Sequence, residues 1–192
     1  VIVWSKMTSN VEHPKYQVIS SFKNIELRQY KPAIVAEVEV QGTRQEAIKT
    51  GFRLLANYIF GNNTTQDSIT MTAPVQQTNN TKIEMTAPVT QTLHEKTWLI
   101  SFFMPSKYTM HTLPKPNNKI IKIKQFPAQQ YAVIRFTGIT SPTKLKSNTT
   151  KLETFITENN LKTSSEAIYA FFNPPWTPPF LRRNEIMIQI QN

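Results

Sequence analysis

Residues 68–89 read SITMTAPVQQTNNTKIEMTAPV, and the five letters Met-Thr-Ala-Pro-Val occur in them twice, at Met71–Val75 and at Met85–Val89. In each copy the apolar side chains alternate: Ile69, Met71, Ala73 and Val75 in the first, Ile83, Met85, Ala87 and Val89 in the second. Alternation with a period of two is the signature of a strand with one buried face. An antiparallel fold about Gln76–Lys82 sets Val75 opposite Ile83, Ala73 opposite Met85 and Met71 opposite Ala87, so each bulky methionine meets a small alanine. The repeat is therefore expected to form a hairpin paving one side of a core. A methionine-rich metal site is the sharper alternative, but it wants more thioethers at closer spacing, usually with His or Cys.

The flanking chain shows two similar units. Upstream, AIVAEVEV (33–40) alternates at its end, with Val38 and Val40 inward and Glu37 and Glu39 outward. Gly42 follows, then Thr43-Arg-Gln-Glu46 with capping-box spacing, then a helix whose apolar stripe runs through Ala47, Ile48, Gly51, Phe52, Leu55, Tyr58 and Ile59 to a stop at Gly61. Downstream, strand YAVIRFT (131–137) leads to Gly138, the N-cap and N1 pair Ser141-Pro142, and a helix carrying Leu145, Leu152, Phe155 and Ile156. Strand–Gly–helix–Asn–strand thus recurs at an offset of roughly 96 to 98 residues (Gly42 against Gly138, for instance). Further strands are expected at Tyr16–Val18, Ile25–Leu27, Trp98–Met104, Ile120–Lys124, Ile168–Phe172 and Glu185–Ile190. The fold class that follows is α+β, a duplicated antiparallel and distorted β-barrel of about eight strands flanked by two α-helices.

The 192 residues suit one well-cored domain, taken as 14–192, with 1–13 as an N-terminal extension. The opening VIVW reads either as the remnant of an export signal or anchor, favouring the periplasm or cell envelope, or as a short edge strand, leaving a cytoplasmic place open. Contact with a membrane is expected only through such an anchor. Twenty-two Lys and Arg against 12 Asp and Glu give a net charge of +10, which draws anions of many kinds. The cations are scattered, with only KIIKIK (119–124) and Arg182-Arg183 grouped, so a nucleic-acid partner is not expected. The absence of cysteine removes disulfides, thiolate metal sites and covalent haem attachment. A Gly-rich phosphate loop, a G-x-S-x-G elbow and an H-E-x-x-H helix are all absent, so no enzyme class is indicated.

Several segments, in order, resemble the SOUL haem-binding protein family: IELRQY, GFRLLANYIFGNN, the doubled IxMTAPV, SFFMPSKY, LPKPNN and FNPPWTPPFLRRNEI. The resemblance runs from about Pro14 to Ile190, and the twin MTAPV looks like the bacterial and plant branch. It implies an eight-stranded distorted barrel with two helices and reversible, non-covalent binding of haem or another tetrapyrrole, without catalysis. The groove it implies lies on the first helix and near the loop before the last strand. On this chain that assigns Lys49, Phe52, Arg53, Trp176, Arg182 and Arg183 to ligand binding. The turn NPPWTPP (173–179) is read either as a lip of the site or as a plug closing one barrel end. Some relatives carry a histidine, proposed as an axial iron ligand, where this chain has Gln29. That residue cannot supply a histidine bond, and the metal ligand is left unassigned. His13, His94 and His111 are expected in surface loops. The competing function is a general effector- or protein-binding module for another hydrophobic anion.

Overall fold

The computed structural model describes residues 11–65, 81–94 (backbone alone at 94), 96–163, 165–173 and 176–191. VIVW and the first MTAPV copy, with its half of the expected hairpin, lie outside the described residues. In chain order the elements are β1 (Tyr16–Phe22), β2 (Ile25–Tyr30), β3 (Ala33–Gln41), α1 (Arg44–Ile59), β4 (Asn63–Thr64), β5 (Val89–His94), β6 (Thr97–Phe103), β7 (Lys115–Pro116), β8 (Lys122–Phe126), β9 (Gln129–Thr137), α2 (Pro142–Glu158), β10 (Lys162–Thr163), β11 (Ile168–Phe171), a 3-10 turn (Pro179–Leu181) and β12 (Arg183–Gln191). The main sheet runs β1-β2-β9-β12-β11-β5-β6-β3-β8, with β10 beside β12, while β4 and β7 pair separately. It curls into a half-barrel of antiparallel strands with two helices, as the sequence led us to expect.

Outward from the β11–β5 pair the order is β12, β9, β2, β1 on one side and β6, β3, β8 on the other. β3 and β9 are both nine residues long and share the same succession of buried and exposed positions. Each leads into a glycine with positive φ, +110° at Gly42 and +99° at Gly138, a conformation that costs a side-chain-bearing residue dearly. Each helix is then capped as its sequence requires. Thr43 and Glu46 form a reciprocal capping box on α1, and Ser141 with Pro142 at the first turn opens α2.

Three clusters form the core. Leu55, Tyr58 and Ile59 of α1 pack on Ala36, Val38, Ile100 and Phe102. Leu145, Leu152 and Ile156 of α2 pack on Ala132, Ile134, Ile186 and Ile188. Tyr30, Tyr131, Val133, Ala170 and Met187 cover the sheet face turned away from the helices. That third cluster explains one departure from expectation. Glu37, read as pointing into water, is 6% exposed, because the curl encloses its face as well, and it pairs with Lys124 of β8.

The second MTAPV copy also departs from expectation. Residues 81–88 carry no strand, and β5 begins only at Val89. Their polar groups are spent on loops rather than on a ladder: Ile83 N–H donates to Ile59 O at 2.7 Å, Thr86 Oγ1 to Phe103 O, and Ala87 N–H to Glu12 O at 3.0 Å. Ile83 and Ala87 are buried while Met85 faces out, so the expected common apolar face is absent here.

Helix α1 lies close to the sheet because Gly51 has no side chain. A Cβ there would stand 2.6 Å from Ile100 Cγ1 and 2.8 Å from its Cβ. Gly51→Ala gains about 1 kcal/mol of helix propensity, yet overpacking against a branched side chain costs about 1–3 kcal/mol. The clash involves the root of Ile100 and not a flexible tip, so a lower urea midpoint is expected. An unchanged midpoint would mean that α1 can ride outward freely.

Candidate functional site

On the helix side of the sheet, where α1 faces the chain entering β12, lies an open concavity of about 350 Å³. This is within the size range of small-molecule sites. Ile48 and Phe52 of α1 form its apolar wall, with Val89 of β5 and Phe171 of β11 as floor. Phe52 is 38% exposed and meets Phe102 edge-on, ring centroids 5.3 Å apart, so it is propped from behind and open in front. Thr140, Asn173 and Arg182 stand at the mouth. Arg182 is held there by its Nε, which donates to Thr177 O at 2.7 Å. Asn184 at the inner end donates to Gly138 O.

Two polar atoms set this place apart. Among the described residues, only Glu37 Oε1, Arg44 Nε and Gln91 Oε1 are buried side-chain polar atoms without a hydrogen-bond partner, and Glu37 has its ion pair with Lys124. The other two line the same concavity. Arg44 is the first residue of α1, half-buried, and its guanidinium carbon lies 5.3 Å from the ring centroid of Phe171 and 5.8 Å from that of Tyr169. Burial pushes its pKa below the ordinary arginine value. The nearby carboxylate of Glu46 is engaged elsewhere, accepting from the Thr43 N–H at 2.9 Å and from the Thr43 hydroxyl at 2.7 Å. A half-buried guanidinium with an unpartnered donor is costly unless something negative completes it. A larger hollow of about 510 Å³ between Phe22, Ile25 and Phe155 holds no such unpartnered atom among the described residues.

The residues assigned from sequence divide. Phe52 and Arg182 come together in the concavity. Lys49 and Arg53 are exposed on α1 and do not line it. Trp176 is 77% exposed and does not line the concavity. Arg183 lies on the other sheet face, its Nη2 2.7 Å from Glu185 Oε1 and its guanidinium 4.0 Å above the Phe172 ring. Arg44 and Gln91 were missed. The signal for Arg44 was its place: a cation at the first helical position meets the positive end of the helix dipole, where an acid is favoured. For Gln91 it was a lone amide between Val89 and Leu93 on one strand face.

No His, Cys or Met lines the concavity among the described residues. Nor do those residues contain a group of three or more His, Cys, Asp or Glu able to hold a metal ion. His13 is an exposed residue elsewhere, 3.2 Å from Ala87 O through Nδ1, and His111 is exposed as well. What the site offers is an apolar wall, a half-buried cation and a second cation at the mouth.

Comparison with known proteins gives a family and a fold. The sequence matches the family described as SOUL heme-binding protein over residues 11–189. No curated protein matches it. Among solved structures, the C-terminal domain of EcmrR superposes with a TM-score of 0.64 at 11% identity, over 92% of this chain and 98% of that one. A hydrolase from Listeria innocua superposes with a TM-score of 0.56 at 8% identity, over 90% and 94% of the two chains. At such identities the likeness is one of fold alone.

Proposed function

Because the chain belongs to the SOUL haem-binding protein family, we propose that it binds haem or another tetrapyrrole reversibly and without a covalent bond, in the concavity beside α1, as a carrier or buffer and not as an enzyme. The observation that carries this reading is the half-buried guanidinium of Arg44, whose Nε has no hydrogen-bond partner among the described residues, set behind an apolar wall. A porphyrin is a flat apolar body with two acid groups. One ring edge enters against Ile48, Phe52 and Phe171. One propionate completes Arg44, and the second meets Arg182 at the mouth. Gln91 Oε1 accepts from a donor of the ligand or from a bridging water. Lys49 and Arg53 on the exposed helix face add to the positive field that draws the dianion. Trp176 and Arg183 have no contact role in this arrangement.

The residues fit the organic part of the cofactor, its flat apolar body and its acid groups, and none of the described residues lining the concavity is a histidine, cysteine or methionine that would hold the iron. Burying about 400 Å² of apolar macrocycle yields about 10 kcal/mol gross, of which association takes back about 4 or more. A charge-assisted bond to a buried group returns about 2 kcal/mol, while an exposed ion pair at Arg182 adds about 0–1. What is left is about 8 kcal/mol, the micromolar range.

Titration with haemin is expected to give a saturable Soret shift with a Kd of about micromolar order. Because apolar contact and Arg44 dominate, iron-free protoporphyrin IX should displace haemin with a Kd within about tenfold of it. A featureless, unsaturable rise in absorbance would instead favour a module for another hydrophobic anion. Loss of binding on removing the iron would mean that coordination and not the wall holds the ligand.

A further inference from the structure

Beyond the concavity, one end of the sheet exposes a set of large apolar side chains. Ile139 is 63% exposed, Trp176 77%, Phe180 75% and Leu181 59%. They come from two loops held together by the sheet itself. The first residue of β12 pairs with the last of β9, Arg183 opposite Thr137, so Leu181 and Ile139 each lie two residues past the same rung. Residues 177–182 of the second loop are tied down by their own hydrogen bonds. Thr177 is buried beneath it, Arg182 Nε donates to Thr177 O, and the Leu181 and Arg182 N–H groups close the 3-10 turn on Pro178 O and Pro179 O. A turn that buries its threonine and presents Trp, Phe and Leu inverts the usual distribution, which marks an interaction surface.

Cations stand beside this end. No Asp or Glu occurs from Gln129 to Leu152 or from Ala167 to Asn184, and Lys144, Lys146 and Arg182 lie on the segments leading into and out of it, while Arg183 is paired with the buried Glu185. Lys144 Nζ donates to Thr137 O at the base of the end, and Lys146 is exposed on the first turns of α2. Four apolar side chains are too few for a stable protein interface, which takes roughly 800 Å² on each partner. Aromatic and aliphatic wedges backed by Lys and Arg suit the headgroup layer of an anionic bilayer.

We propose that this end, carrying Ile139, Trp176, Phe180 and Leu181, docks the protein onto anionic membrane surfaces, with the mouth of the concavity at its side. The inference does not depend on which ligand the concavity takes, and it places membrane contact in the folded domain instead of in an N-terminal anchor. The test is co-sedimentation of the ligand-free protein with vesicles of phosphatidylcholine alone and with vesicles containing about one-third phosphatidylserine. The protein is expected to favour the anionic vesicles by about tenfold or more, with the preference shrinking as salt rises. Trp176→Ser combined with Phe180→Ser should lower that partition by at least about tenfold. Ile120→Ser, on an exposed residue outside both loops, should leave it unchanged. Three results would overturn the proposal: no sedimentation of the parent, equal sedimentation of the double variant, or a lipid-free dimer that the double substitution abolishes.

Discussion

Replacing Arg44 with leucine is expected to make the protein more stable and a poorer binder at the same time. The guanidinium sits half-buried at the first position of α1, its Nε without a partner and no carboxylate paired with it among the described residues. Removing it relieves an unfavourable charge at a helix N-terminus, about 0.3–1 kcal/mol, and leucine has nearly the same helix propensity. Urea denaturation should therefore show a gain of about 0.5–1 kcal/mol. Haemin affinity should fall by about tenfold to a hundredfold, the loss expected for a hydrogen bond to a charged group. This pairing of opposite signs is what a residue kept for its ligand shows. If stability fell and affinity stayed, Arg44 would be a packing element for Phe171 and Tyr169, and the proposed site would lose its anchor.

Glu185→Ala should be the most damaging single change to the fold. Glu185 is 0% exposed and its carboxylate serves two arginines. Arg28 Nη1 donates to Oε2 at 2.7 Å and Arg28 Nη2 to Oε1 at 3.1 Å, while Arg183 reaches Oε1 through Nε at 2.9 Å and Nη2 at 2.7 Å. Burial alone would lower the pKa of Arg28, but its bonds to Glu185 more than offset this and hold it above the ordinary value. Arg28 is 1% exposed, so it cannot turn to water when Glu185 is gone, and among the described residues Glu26 alone remains as its ion-pair partner. Breaking a buried pair from one side costs about 3–5 kcal/mol, against a typical total of about 5–15 kcal/mol. The expected result is a large fall in the urea midpoint or failure to fold. Arg28→Met combined with Glu185→Leu should recover much of the loss, since no charge is then stranded. A mild effect of Glu185→Ala alone would show that water reaches Arg28.

The strand–glycine–helix units were legible because their signals are local. A capping box, an N1 proline and a period-3.6 stripe each follow from neighbours in sequence, and Thr43, Ser141 and Pro142 stand where those rules put them. The second MTAPV misled because alternation of apolar residues states which side chains prefer burial, not which backbone groups find partners. The N–H groups of Ile83 and Ala87 found Ile59 and Glu12. Glu37 misled for a related reason, since one strand cannot reveal that the sheet curls over its second face. The pair Arg182-Arg183 shows the limit most plainly. The two are adjacent in sequence, yet the step into β12 sends Arg183 to Glu185 on one face and leaves Arg182 at the mouth of the concavity on the other. That parity depends on where β12 begins, which only its pairing with β9 fixes.

The concavity lies over the place where the two halves of the sheet meet. β5 and β11 are joined there by four residue pairs, against eight between β9 and β12 and seven between β3 and β6. A molecule resting on Val89 and Phe171 would therefore touch both halves across a short seam. Occupied as proposed, the concavity would act as a rivet, its ligand helping to hold the two halves together.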